Sequence, residues 1–468
     1  MKLPIKYFII PVAFILFSAQ GCRKFLDVGN PVTETPSKTV FGNENSATAA
    51  MLSIYGEFMK NSASSIGASL YLGQSSDEFR SYGFPPLSNY YANNLTAIDN
   101  NDFWSTYFII IYRCNAVLEG VEQSGSLAQG VKNQLKGEAL FARAFFHFYL
   151  VNLFGDVPYI STTGYIENNA APRMPVREVY KKIIADLIQA RDLLGDGFPD
   201  AGNKPGTERV RPNKAAAQAM LARCYLYMGN WEDAQAQASA VIGNTVTYRL
   251  LSDLNEVFKK NSREAIWQMM PSDPVNTNGF EGYSFILTAP PGPIGQVSTA
   301  LSDNLLNAFE PGDKRRSDWV GTFQTFRYPF KYKVKALSQP STEYSMVIRL
   351  AELYLIRAEA WAQLNRLSEA VSDLDMIRDR AGLALLSRIH PGITQADLLD
   401  AVYRERQLEL FGEWGHRWLD LKRTGRADAV LKPIKGNNWQ STDQLFPIPK
   451  AQIDYSPAYN GQQNPGYN

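Results

Sequence analysis

From Ala47 onward most of the chain repeats its apolar residues every three to four positions, the spacing that puts them on one face of a helix. The stretch "ATAAMLSIYGEFM" begins this pattern, and it returns over Trp104–Glu122, Val131–Phe154, Val176–Leu194 and Asn213–Met228. In the last of these, Pro212 and Asn213 precede an alanine-rich run, which reads as a helix start. Each of these segments is expected to form a helix with one buried face.

Two later stretches share a finer spacing. Counting from Ala222, Tyr225 lies at +3, Gly229 at +7, Trp231 at +9, Ala234 at +12 and Val241 at +19. Counting from Ala358, the same offsets hold Trp361, Asn365, Leu367, Ala370 and Ile377. This is tetratricopeptide spacing, in which small residues let paired helices approach and a turn residue separates them. One such hairpin cannot bury its own face, so several are expected to stack. The segments 136–155 and 177–194 would supply another pair across a loop with Pro158, Pro172 and Pro175. Tyr354, Trp361 and Trp231 fall at core spacing.

The pattern breaks in two places. Residues 71–103, "YLGQSSDEFRSYGFPPLSNYYANNLTAIDNNDF", read as an irregular, ring-rich insertion, and 270–344 are rich in Pro, Gly and Ser. Within the latter, "TFRYPFKYKVKAL" alternates like a short strand. The fold class expected is therefore mainly α: a tetratricopeptide-like hairpin scaffold with an irregular, loop-rich lobe containing short strands.

The N-terminus follows a different logic. Lys2 and Lys6 precede a run from Tyr7 to Phe17 too short to span a bilayer, and Ser18, Ala19 and Gly21 lead into Cys22. This is a lipoprotein signal layout. Residues 1–21 are expected to be a signal peptide, Cys22 the lipidated N-terminus, and 22–45, with Pro31 and Pro36, a tether without helix. Two or more acyl chains hold a protein on a membrane without a spanning helix. Removing residues 1–21 leaves 45 basic and 46 acidic side chains, a balance that argues against a polyanion binder. Cys114 and Cys224 lie in apolar helical patterns and read as free, buried thiols.

The sequence carries no recognisable catalytic constellation. His147, His390 and His416 are far apart, and there is no H-E-x-x-H, G-x-S-x-G, Walker A, G-x-G-x-x-G or C-x-x-C pattern. His147 reads as a helix-packing residue. Two carboxylates can suffice for glycoside hydrolysis. Glu405, Glu409 and Glu413 share a helix face, with Arg406, Arg417 and Arg423 near enough to neutralise them. A structural ion-pair network is the reading; no catalytic residue, metal ligand or cofactor is assigned.

Seven segments in order carry a resemblance: "CRKFLD" at Cys22, residues 138–160 ("EALFARAFFHFYLVNLFGDVPYI"), 211–234, 348–365, "IRDRAGL" (377–383), "RERQLELFGEWGHRWLDLKRTG" (404–425) and the ending "LFPIPKAQI…NPGYN". Together they resemble the SusD/RagB family of outer-membrane nutrient-binding lipoproteins of Bacteroidetes. One departure is Trp414, which intervenes between Glu413 and Gly415 where the family more often has the acid directly before Gly. The resemblance implies a 46–269 helical region with the 71–103 insertion and a 270–468 C-terminal region. It also implies residence on the cell surface beside a SusC-like TonB-dependent transporter, to which bound oligosaccharide is delivered.

Sugar rings stack their C–H faces on aromatic planes while nearby polar side chains bond their hydroxyls. On that chemistry the candidate ligand residues are Asp77, Arg80, Tyr82, Phe84, Tyr90, Tyr91, Asn93 and Asn94 in the first insertion, with Phe280, Tyr283 and Trp319 in the second. Three other readings stand beside glycan binding: an oligopeptide binder of the same kind, a surface glycoside hydrolase, and a pure interaction scaffold.

Overall fold

The computed structural model describes residues 37–467 apart from 61–63, 99–100, 272, 274–276 and 294–296. The signal peptide, Cys22 and the tether as far as Pro36 lie outside the described residues. The tether was expected to lack helix through residue 45; instead a helical turn occupies Ser37–Val40 and helix α1 spans Glu44–Met59. Its start is fixed by Asn43, whose side chain accepts from Ser46 N at 3.0 Å.

Helix α2 (Ser65–Ser75) follows, then strand β1 (Phe79–Ser81) and helix α3 (Leu87–Ala92). The insertion at 71–103 is thus shorter and more ordered than its composition suggested. The scaffold continues with α4 (Asn101–Gln123), α5 (Gln129–Phe154), α6 (Val176–Leu193), α7 (Lys214–Met228) and α8 (Trp231–Ile242). After the irregular lobe come α10 (Leu350–Gln363), α11 (Leu367–Arg380), α12 (Gln395–Leu410), α13 (His416–Arg423) and α14 (Ala427–Lys435). Helices α4 to α8 pack each against the next, α8 packs on α10, and α10 on α11 and α12. The hairpins therefore form one stack that runs past residue 270, and the largest core draws residues from Phe41 to Tyr459.

The repeat spacing works as expected. Ala222, Ala234, Ala358 and Ala370 are fully buried where helices meet. The +7 residues sit in left-handed conformations, Gly229 at φ 72° and Asn365 at φ 58°, which the chain needs to reverse between helices. Trp231, Tyr354 and Trp361 are half-buried, packed on the core edge, with the Arg366 guanidinium 4.0 Å from the Trp361 ring centre. Cys114 and Cys224 are buried free thiols.

The irregular lobe holds short antiparallel ribbons. β1 pairs with β3 (Thr299–Leu301), and β2 (Ala265–Met269) with β6 (Ser345–Arg349). β4 (Val320–Phe323) pairs with β5 (Phe326–Pro329). Of the segment read as a strand at 325–337, only Phe326–Pro329 is one; beyond it Lys331 turns inward beneath the Trp319 ring. Helix α9 (Asp303–Ala308) follows β3 directly.

At Trp414 the chain makes two consecutive left-handed residues, Trp414 at φ 48° and Gly415 at φ 70°. The extra residue is swallowed by the core: Trp414 donates its indole N–H to Met346 O at 2.8 Å, and its backbone N–H to Ser69 Oγ at 2.8 Å. A Cβ on Gly415 would lie 2.4 Å from Leu72 Cδ1, so only glycine fits beside α2.

Glu405, Glu409 and Glu413 are buried in ion pairs, as read, but with different partners. Arg315 and Arg378 hold Glu405 at 2.8 and 2.7 Å; Arg349 holds Glu409 at 2.6 Å and Glu413 at 2.8 Å; Arg380 also reaches Glu409. Arg406 and Arg423 instead hold Asp420, at 2.8 and 2.7 Å, and Arg417 holds Asp77 at 2.7 Å. Residues one apart on a helix face different ways, so Arg406 could not serve Glu405. These carboxylates are buried and charge-matched, each paired with at least one guanidinium. His147 is a packing residue: its Nδ1 lies 2.9 Å from Arg143 O and its Nε2 accepts from Ile160 N, and burial pushes its pKa down to about 3.

Buried pairs of this kind make the fold acid-sensitive. Burial alone would raise Glu352, but Arg223, bonded to it twice at 2.7 Å, brings it from 4.5 down to about 2. A depressed carboxylate pKa contributes stability above its unfolded value and loses it as pH falls through the folded one. Between pH 5 and pH 2 the protein is expected to lose on the order of 2–3 kcal/mol from this group, read as a falling urea midpoint.

Candidate functional site

The ring-rich insertion and the second half of the chain meet in one open cleft of about 410 Å³. Its walls are β1 and the turn before it, α3, the start of α9 and the end of α14. The β1–β3 ribbon sets the alternation: Phe79, opposite Leu301, points into the core, and Arg80, opposite Ala300, points out.

Four candidates read from the sequence line this cleft: Asp77, Arg80, Tyr82 and Tyr91. Tyr82 and Tyr91 are half-buried and both line the opening. Tyr82 is braced edge-to-face by Phe326, with ring centres 5.7 Å apart, and its backbone N–H donates to Ser298 O at 2.8 Å. Tyr91 is fixed by Lys435, whose ammonium lies 4.1 Å from the ring centre and donates to Tyr91 O and Gln74 O, each at 2.8 Å. Burial pushes that ammonium down to about 7, against the opposing pull of Asp77.

The polar groups are partly committed. Arg80 pairs with Asp303 at the exposed rim. Asp77 is only 1 % exposed; Arg417 clamps both its oxygens at 2.7 and 2.9 Å and Asn304 donates to it as well. It forms part of the cleft wall, with both carboxylate oxygens engaged by Arg417 and one also by Asn304. Below it, burial first and the charge of Asp77 second push Glu78 up to about 8, so it is a neutral acid at pH 7.

Other candidates are placed elsewhere. Phe84, 60 % exposed, stands on the adjoining loop. Asn94 is exposed beyond α3. Tyr283, 51 % exposed, lines a separate cleft of about 330 Å³ that also contains Ser298, the residue bonded to Tyr82; Phe280 is partly exposed at the start of the same helical turn.

Three candidates are corrected. Trp319 is fully enclosed in the second core, donating its indole N–H to Leu254 O at 3.0 Å, and offers no face to a ligand. Tyr90 is buried and stacked on Tyr71 with ring centres 4.6 Å apart. Asn93 caps α3 at φ 51° and donates to Ser75 O at 3.2 Å. Conversely, Asp303, Asn304, Ile434 and Lys435 line the cleft and went unread, because none carries an aromatic signal and all come from segments far along the chain. Among the described residues no group of three or more His, Cys, Asp or Glu side chains could hold a metal ion.

Comparison with known proteins accounts for this architecture. Residues 24–226 match a SusD-like family described as starch-binding and associating with the outer membrane, and residues 303–467 match the SusD family proper. The chain belongs to the SusD/RagB family. SusD-like protein P2 of Formosa agariphila is 29% identical over 433 residues, covering 80% of this chain and 83% of that protein. A crystal structure of a SusD superfamily protein from Bacteroides vulgatus superposes with a TM-score of 0.77 at 20% identity, covering 91% of this chain and 100% of the other. A laminarin-binding SusD-like protein gives 0.71 at 23% identity, covering 91% and 100%. The family is one of outer-membrane-associated proteins. Among the described residues, no helix of this member is long and apolar enough to cross a membrane.

Proposed function

We propose that this SusD-family protein binds an oligosaccharide at the cleft between β1, α3, α9 and α14, without cleaving it. It would then pass the sugar to a SusC-like TonB-dependent transporter. In this reading Cys22 carries the lipid and the protein faces the cell exterior. The observation that carries it is the pairing of two half-exposed tyrosine rings, Tyr82 and Tyr91, with Arg80, Asp303 and Asn304 around one opening. Rings supply stacking faces; the guanidinium, carboxylate and amide supply the donors and acceptors that sugar hydroxyls need. The family description as starch-binding and the laminarin-binding relative support the ligand class. The commitment of the Glu405, Glu409 and Glu413 carboxylates to buried guanidinium pairs supports binding without hydrolysis.

Calorimetric titration with hexasaccharides of several glucans, xylans and mannans, followed by chromatography of the ligand, tests this. Saturable binding of at least one glycan, recovered intact, is expected; release of shorter products would convert the reading to a hydrolase, and binding only of peptides would replace the ligand. The double substitution Tyr82→Ala and Tyr91→Ala is expected to weaken glycan binding by about 1–3 kcal/mol, roughly 5- to 150-fold, with an unchanged melting temperature.

A further inference from the structure

We infer that the glycan site continues into a second cleft and that the combined trough selects oligosaccharides bearing carboxylates, that is, uronic-acid chains. This rests on the glycan-binding reading of the first cleft.

The second cleft, about 580 Å³, lies between α9, α12 and α14. Asn304 and Ile434 line both clefts, so the two openings are contiguous. The buried pair between them forms the septum: Asp77 faces the first cleft, and its partner Arg417 the second.

Two side chains give the second cleft its chemistry. Gln407, on α12, is 8 % exposed and lines the cleft, and its side-chain amide makes no hydrogen bond among the described residues. That amide is open to the cleft and has a donor and an acceptor to offer a ligand's hydroxyl or carboxylate. One turn earlier, Arg404 is exposed on the same cleft and forms no ion pair among the described residues. It feels the charge of Glu310, but Arg378 already holds that carboxylate at 2.7 Å.

The remaining cations are balanced, Arg417 by Asp77 and Arg426 by Asp400 at 3.1 Å, which leaves Arg404 as the uncompensated charge. A neutral sugar gains little from an unpaired guanidinium, whereas a carboxylate meets its two N–H groups in a parallel pair. Pro433 and Ile434, exposed on the opposite wall, supply the apolar surface on which the intervening sugar faces would rest.

The test titrates the intact protein with hexasaccharides of galacturonate, mannuronate and glucuronate, with the matching disaccharides, and with the methyl ester of the tightest hexasaccharide. One acidic hexasaccharide is expected to bind at least 10-fold tighter than its ester at low salt, with the gap closing as salt rises. Arg404→Met, at an exposed position, is expected to remove most of that gap, and Gln407→Leu most of the advantage of six sugars over two. Equal affinity for acid and ester, or both variants matching the parent protein, would overturn the inference. If only a neutral hexasaccharide binds, the inference fails while the first cleft stands; if no glycan binds, both fail.

Discussion

Replacing Arg349 by leucine is expected to destabilise the protein by about 3–5 kcal/mol, read as a lower urea midpoint at unchanged slope. Arg349 is the last residue of β6, fully buried, and ties the strand to the end of α12. Its guanidinium donates to Glu409 Oε1 at 2.6 Å, to Glu409 O at 2.7 Å and to Glu413 Oε2 at 2.8 Å. Removing it strips Glu413 of all but Lys331 and leaves Glu409 to Arg315 and Arg380, in a site without water access. An uncompensated buried carboxylate is the source of the loss. Pairing the change with Glu413→Leu should restore a measurable part, since it removes the carboxylate left without its guanidinium, while Lys331 keeps its bond to Glu409 O. A double mutant no more stable than Arg349→Leu alone would show that the network acts through geometry and not through charge.

Trp319→Ala is expected to cost about 3–5 kcal/mol and to leave glycan affinity of the folded fraction unchanged. The indole fills the second core between Phe258, 5.6 Å away centre to centre, and the ammonium of Lys331, 4.7 Å from the ring centre. Its removal opens a cavity and takes away the aromatic face that helps hold a buried cation. Measured beside the Tyr82→Ala and Tyr91→Ala pair, it separates a ring that builds the lobe from rings that meet the ligand. A selective loss of affinity with normal stability in Trp319→Ala would reverse that assignment.

That contrast also shows what the chain conveys on its face. The hairpins are legible because their determinants are local: the alanines at Ala222 and Ala358 and the turn residues Gly229 and Asn365 act within one or two helices of their own position. The cleft is half legible. Its ring-rich segment announces itself, but Tyr90 and Tyr91 are neighbours on a helix, where successive side chains diverge by about 100°, and composition does not say which one faces out. Trp319 follows "DKRRSD", which looks like surface; yet Arg315 in that run is itself buried against Asp313, Glu405 and Glu409. Partners supplied from far along the chain decide such cases. Asp77 looks like an open ligand group until Arg417 closes on it, and Lys435, which sets the Tyr91 ring, has no local signal at all.

Whether two tyrosine rings on the β1–α3 segment hold a sugar is decided by a crystal structure of the protein with a saturating oligosaccharide. A pyranose ring in van der Waals contact with Tyr82 or Tyr91, with hydroxyls bonded to Arg80, Asp303 or Asn304, is expected. A sugar bound on another face of the molecule, with both tyrosines untouched, would contradict this placement.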